Sequence, residues 1–214
     1  MIVEKKNMYH FHKSGRFDDV WKCGNTLHID NNFQSNFIKI LDDFNTNSVN
    51  GGSFCSEVSD YFERDSSKDV LDRILGAGQS RYELMNYLRQ ACNIIWEANI
   101  FKRELALEEV RKKSFSALPS RKHSVWVTDI DGLDFWEKVL KPVKNSPFHL
   151  SLFSVSLSGN LFKSNEELLP RDVHTFDECL KAAYGYWNPD FTLVDPSKNE
   201  YLFQGEMKIL KRLL

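Results

Sequence analysis

At 214 residues the chain is long enough for one substantial core, or at most two small ones. Its 42% hydrophobic and 27% charged residues are those of a globular protein, and an aromatic content of 13% favours a packed core or a stacking pocket over a disordered chain. A formal charge of -2 argues against a strongly basic grip on nucleic acid, and no apolar run approaches the roughly 18 residues of a membrane span.

Met1 to Lys6 lacks the apolar core of a secretory signal. Cys23, Cys55, Cys92 and Cys179 lie far apart with no paired spacing, so reduced, mostly buried thiols in a cytoplasmic chain are expected. In chain order, Met8 to His12 is a short apolar-rich strand ending at Ser14-Gly15, and Asn25 to Ile29 alternates as a second strand. Phe33, Phe37, Ile40, Leu41 and Phe44 recur at helical spacing, and Asn45 to Ser53 with Gly51-Gly52 is a loop. A short helix over 68–75 is stopped by Gly76 and Gly78, and Ser80 with Glu83 has the spacing of a capping box. From Leu84 through Leu107 and Val110 an apolar stripe predicts a long helix to about Lys113, with a possible break near 100–106, ended by Pro119-Ser120.

The remainder reads as sheet with short helices. Ser124 to Thr128 is strand-like, and Leu133 to Leu140 is a helix stopped by Pro142. Leu150 to Leu157 alternates apolar residues with serine, with a phase slip at Phe153 that suggests a bulge. Thr175 precedes a helix from Phe176 to Trp187, favoured by Asp177 and Glu178 in its first turn and ended by Asn188-Pro189. Phe191 to Val194 and Tyr201 to Ile209 read as the last strands. The strands thus lie at the two ends of the chain with a helical block between them. An α+β fold follows, with one domain over 1–214, a sheet core from ~1–30 and ~115–214, and a helical insertion over ~31–114.

Neither a phosphate-binding glycine loop nor a hydrolase elbow is present. His10 and His12 share a strand face, but no cysteine or carboxylate cluster stands near them, so no metal is expected. Three segments carry the chemistry. Met8-Tyr9-His10-Phe11-His12-Lys13-Ser14 resembles the first-strand motif of the poly-ADP-ribose polymerase branch of the ADP-ribosyltransferases. Ser124-Val125-Trp126-Val127-Thr128-Asp129 is similar to that family's second motif, with Trp136 near the position of its second nicotinamide-stacking ring. Asn199-Glu200-Tyr201-Leu202-Phe203 resembles the third, whose glutamate is the catalytic carboxylate. Glu109 to Arg121, Ala183 to Trp187 and the Glu200 strand also resemble small bacterial members of the same superfamily, several of them toxins of toxin–antitoxin or anti-phage systems. Phe11 stands where the polymerases have glycine, and Trp126 replaces a tyrosine.

The resemblance implies a split β-sheet of the ADP-ribosyltransferase type, NAD+ as co-substrate, no metal, and transfer of ADP-ribose to a macromolecule (protein, RNA or DNA), with an antitoxin protein as partner. Glu200 would accept a hydrogen bond from the ribose 2′-hydroxyl and stabilise the oxocarbenium-like sugar, and His10 would grip a ribose hydroxyl. Trp126 and Trp136 would sandwich nicotinamide, and Arg121 is a candidate for the NAD+ phosphates against its reading as a surface arginine. Glu206, on the same face as Glu200 by period two, is the rival carboxylate. The basic residues Lys102, Arg103, Arg111, Lys112, Lys113, Arg121 and Lys122 suit an acidic target or nucleic acid, or simply solvated helix faces. A small-molecule transferase and a non-catalytic interaction domain on the same fold are the alternatives. The enzyme reading expects His10, the indoles and Glu200 to converge on one cleft.

Overall fold

The computed structural model describes residues 1–13, 20–33, 78–142, 149–171 and 174–214. The predicted turn at Ser14-Gly15, the helix over 33–44, the loop to Ser53 and the helix over 68–75 lie outside them, apart from Phe33. The chain divides into two compact units, residues 1–35 with 103–214, and residues 36–102. In the second unit, the described part of helix α1 (Gly78–Ser114) exposes Met85, Leu88, Ile95 and Trp96. No helix of the described residues is long and apolar enough to cross a membrane.

The first unit is an α+β structure on a five-stranded antiparallel sheet. Its strands are β1 (Ile2–Lys13), β2 (Thr26–Ile29), β3 (Val125–Val127), β4 (Leu150–Asn165) and β5 (Asn199–Arg212). The order is β1-β4-β5-β2, and β3 pairs with β5 beyond the end of β2. Tyr9 and Thr128 exchange backbone hydrogen bonds of 2.9 and 2.8 Å, so β3 also meets β1 and the pairings close on themselves as in a small barrel. Closure needs strong coiling of the long strands. Gly159 and Gly205 supply it where β4 and β5 lie opposite each other, with φ of +154° and +139°. A Cβ on Gly205 would lie 2.5 Å from the Ser158 carbonyl oxygen, a space only glycine leaves open.

Alternation then decides which side chains enter the interior. Met8 on β1, Phe153, Val155, Leu157 and Leu161 on β4, and Tyr201, Phe203, Met207 and Ile209 on β5 form the enclosed core with Val125 and Val127. A second apolar cluster lies on the outer face at the start of β5. There Phe162 and Leu202 are covered by Leu107 and Val110 of α1 and by Ala183, Tyr186 and Trp187 of α3 (Phe176–Trp187). Helix α2 (Leu133–Leu140) has the predicted limits, and α3 carries the full capping box from Thr175 to Glu178. α1 runs unbroken through residues 100–106 and ends within a residue of its predicted limit.

Four expectations are corrected. The thiols are not mostly buried: of the described cysteines Cys23 and Cys92 are exposed and Cys179 is buried. The described helix α1 already runs from Gly78, so Ser80 lies within it rather than at its N-cap. The bulge falls between Ser154 and Val155, with Leu210 of β5 as the extra residue (Val155 opposite Ile209, Ser154 opposite Lys211). Phe191 to Val194 is turn rather than strand. Asp190 accepts from the backbone N–H and hydroxyl of Thr192 at 3.0 and 2.6 Å, local bonds that a strand would have to give up.

Candidate functional site: a buried guanidinium between two carboxylates

Glu200, the second residue of β5, faces the outer cluster together with Leu202 and its cross-strand neighbour Ser164. Arg121 reaches it from a single helical turn (Arg121–His123) whose N-cap is Ser120. The Arg121 Nη1 donates to Glu200 Oε1 at 2.6 Å and also to the Tyr186 hydroxyl. Nε and Nη2 form a fork onto Glu104 of α1 at 2.8 and 3.3 Å. The Tyr186 hydroxyl donates to Glu200 through a short hydrogen bond. The guanidinium also lies over the rings of Tyr186 and Trp126, at 4.9 and 5.4 Å from their centroids. Only 6% of the Arg121 side chain and 5% of that of Glu200 is exposed, so this is an interior ionic centre, not the surface arginine of the bland reading.

The two carboxylates face two guanidinium groups, because Arg103 Nε also donates to Glu104 Oε1 at 3.4 Å, so the centre is formally neutral. Burial disfavours the Arg121 cation, but Glu104, Tyr186 and Glu200 outweigh it and hold its pKa well above the ordinary value. Burial, reinforced by Glu200 against the opposing pull of Arg121, pushes the Tyr186 phenol well above its usual range. The phenol therefore stays protonated and donates. A second bracket one helical turn along α1 stiffens the approach to Arg121. Glu108 pairs with Arg111 at 2.7 Å and accepts from the Ser120 hydroxyl at 3.1 Å, while Arg111 Nη1 holds the carbonyls of Ser116 and Leu118. Arg111 and Arg121 of the basic run are thus committed within the fold.

The predicted residues separate into two groups. Glu200, Arg121 and Trp126 come together. His10 does not join them: it lies opposite Phe153 on the enclosed face, while Glu200 is on the outer face. Its ring stacks on Trp21 at 4.2 Å, and Nδ1 donates to the Trp126 carbonyl at 2.8 Å, occupying the free edge of β3. Burial, with help from nearby His12 and against that hydrogen bond, lowers the His10 pKa to about 4. Trp136 also stands outside the cluster. Its indole N–H donates to the Asn199 carbonyl at 2.9 Å, and its ring packs edge-on against Phe135. Glu206 lies beyond the Gly205 bend and is exposed, which leaves Glu200 as the buried carboxylate of β5. Glu104 and Tyr186 carry no role in the sequence reading. The signal for Glu104 was its helical spacing from Glu108 and Arg111, which sets acids and a base on one face of α1.

Beside the centre a groove of about 620 Å³ is walled by Phe115, Leu118, Phe162, Trp187 and Phe191, with Lys163 at its border. Phe162 and Trp187 also touch the Tyr186 ring, at centroid distances of 6.2 and 5.0 Å. It is a shallow depression that stands open to solvent over most of its extent.

Fold and site together define an α+β protein with a curled antiparallel sheet and a buried guanidinium–carboxylate–phenol centre at the start of its last strand. The chain belongs to the family described as "Protein of unknown function (DUF2441)", whose model matches residues 8–213. A comparison with curated proteins finds no match.

Proposed function

We propose that the chain is an NAD+-dependent ADP-ribosyltransferase with a sheet of that superfamily's type, that it modifies a macromolecule, and that Glu200 is its carboxylate. The observation that carries the reading is the position of Glu200. It sits in the Asn199-Glu200-Tyr201 segment, held between a cation and a phenol beside Trp126.

The reaction breaks the bond between the nicotinamide nitrogen and C1′ of the ribose. Nicotinamide leaves with the bonding pair as a neutral base, and the sugar passes through an oxocarbenium-like state. An acceptor nucleophile then bonds to C1′ and loses its proton. A carboxylate beside C1′ stabilises the developing cation and orients the 2′-hydroxyl. Glu104 makes this feasible for Glu200, because its fork leaves Arg121 neutralised when Glu200 turns to substrate. The groove offers ring faces for the nicotinamide or adenine moiety. His10 has no part in this version: it supports β3 from the other face. Action as a toxin or anti-phage effector in the cytoplasm, restrained by an antitoxin protein, belongs to the same proposal. Toxicity on expression in bacteria separates it from a small-molecule, drug-modifying transferase.

The test is incubation with labelled NAD+ and separate protein, RNA and DNA pools, for the wild type and Glu200→Gln. The expected result is nicotinamide release and label in one pool, lost in the variant while its thermal unfolding is retained. A second reading rests on the low exposure and full pairing of Glu200: the centre is a structural clamp in a non-catalytic interaction domain. That reading predicts no NAD+ binding by calorimetry, and this outcome would refute the enzyme.

A further inference from the structure

Among the described residues, the outer face of the sheet is covered by α1 and α3 at the start of β5. Beyond the Gly159–Gly205 bend it presents cross-strand rows that share no atom with the Arg121 centre. One row runs Asn7–Ser156–Lys208–Thr26 across all four strands of the main path. On either side of it lie Tyr9–Ser154–Lys211 and Ser158–Glu206–His28, and Phe11 lies opposite Leu152. These residues are exposed or half-buried, whereas the alternate positions Met8, Val155, Leu157, Met207 and Ile209 fill the interior.

The composition of this face is specific. Its middle strand contributes the short side chains of Ser154, Ser156 and Ser158, which form a shallow trough. Tyr9 and Phe11 line one bank, Lys208 and Lys211 the other, with Lys13 at the end and Leu210 42% exposed. Two strand spacings, about 10 Å, separate the ring bank from the lysine bank, comparable to the span of a nucleotide from base to phosphate. Lys13, Lys208 and Lys211 outnumber Glu206 in a chain whose overall charge is -2, so positive charge is concentrated here. A protein partner would be met by an apolar centre, and here the centre is hydroxyl-lined. A duplex hides the base faces that rings bind.

We infer that this face binds single-stranded nucleic acid, with bases stacked on Tyr9 and Phe11 and the backbone running along Lys208 and Lys211. The serine hydroxyls donate to phosphate or sugar oxygens between the banks. The inference is independent of the role of Glu200, because it concerns binding without NAD+ and uses none of the residues around Arg121.

Fluorescence anisotropy tests it, using the full chain with a labelled single-stranded RNA 12-mer, the matching DNA strand, the duplex, and poly-glutamate as the non-nucleic anionic probe. Single strands bind, and the logarithm of affinity falls with the logarithm of salt at a slope of about -2, from roughly three phosphate contacts. The pair Lys208→Glu and Lys211→Glu weakens binding at least about tenfold, while Lys112→Glu with Lys113→Glu on α1 changes it less than twofold. Tyr9→Leu with Phe11→Leu keeps apolar bulk in the strand but removes the stacking faces, and weakens binding about fivefold or more. Circular dichroism confirms that each variant is folded. Equal affinity for duplex or poly-glutamate, no effect of the strand variants, or no binding at low salt overturns the inference.

Discussion

Arg121→Met tests whether the interior ionic centre is built as described. The guanidinium satisfies Glu104 through a fork and Glu200 through one bond, and those carboxylates are at most 9% exposed. Removing it leaves Glu104 with only the longer contact to Arg103, and Glu200 with the Tyr186 hydroxyl as its remaining donor. Breaking a buried pair by deleting one partner costs about 3–5 kcal/mol, roughly a fifth or more of the stability of a typical domain. Glu200→Gln is different. It gives up a charge-assisted hydrogen bond of about 1.5–3 kcal/mol but leaves Arg121 paired with Glu104 through the fork. We expect a net loss below about 1.5 kcal/mol. Adding Glu104→Gln and Glu200→Gln to Arg121→Met takes both carboxylate charges out of the interior, with Arg103 left at its margin, and restores most of the loss. Urea denaturation followed by tryptophan fluorescence reads all three variants, because Trp126 and Trp187 adjoin the centre. A loss below about 1 kcal/mol for Arg121→Met, or no recovery in the triple variant, would refute the reasoning.

The other predictions concern the sheet and α3. An imidazole in the unfolded chain takes its proton near pH 6.5, whereas folded His10 does so near pH 4 because it is buried. Its stabilisation is therefore complete above pH 6.5 and is lost as the pH falls from 6.5 toward 4, by up to about 3 kcal/mol. His10→Gln, which retains a donor for the Trp126 carbonyl, should flatten that part of the stability–pH curve; an unchanged slope would contradict the burial of the ring. Gly205→Ala must place a methyl 2.5 Å from the Ser158 oxygen at a positive φ, and should lower stability by about 3 kcal/mol. A urea midpoint close to wild type would show that the strands are less coiled there. Thr175→Ala removes the acceptor for the Glu178 N–H and should cost about 1 kcal/mol; helicity and midpoint both unchanged would mean the cap does not form in solution.

Much of the local structure was legible because it depends on local chemistry. Thr175 with Glu178 fixes the start of α3, and Pro142 fixes the stop of α2. The alternation of serine with Phe153, Val155 and Leu157 reveals a strand with one buried face, although β4 runs on to Asn165. The strand lengths were harder. Glu200 to Phe203 is buried on both faces, toward the interior and toward α3, so its pattern does not alternate. Phe191 to Val194 reads as strand by composition, but Asp190 and Asp195 take the local donors first.

The separation of His10 from Glu200 was not legible for a related reason. Parity alone puts His10 with Met8, and Glu200 with Leu202, but which parity points inward is set by register against β4. The same register brings Trp126 and Ser164 to the side of Glu200. Arg121 and Glu104, distant in sequence, complete the centre from a turn and a helix that the sheet pattern does not describe.

What distinguishes a site from a clamp here is whether the fold needs the Glu200 carboxylate. A clamp joining α1 to β5 through Arg121 needs a carboxylate on only one side, and the fork from Glu104 already neutralises the guanidinium. Glu200 adds a second carboxylate to a guanidinium already paired, and a glutamine there would still accept from Arg121 and Tyr186. Ionic groups perturbed by burial concentrate at functional sites, and structural ion-pair networks perturb them as well. Measured together, the stability and NAD+ turnover of Glu200→Gln discriminate directly. Stability near wild type with turnover abolished marks a charge kept for chemistry, and a large loss of stability without any turnover in the wild type marks a strut.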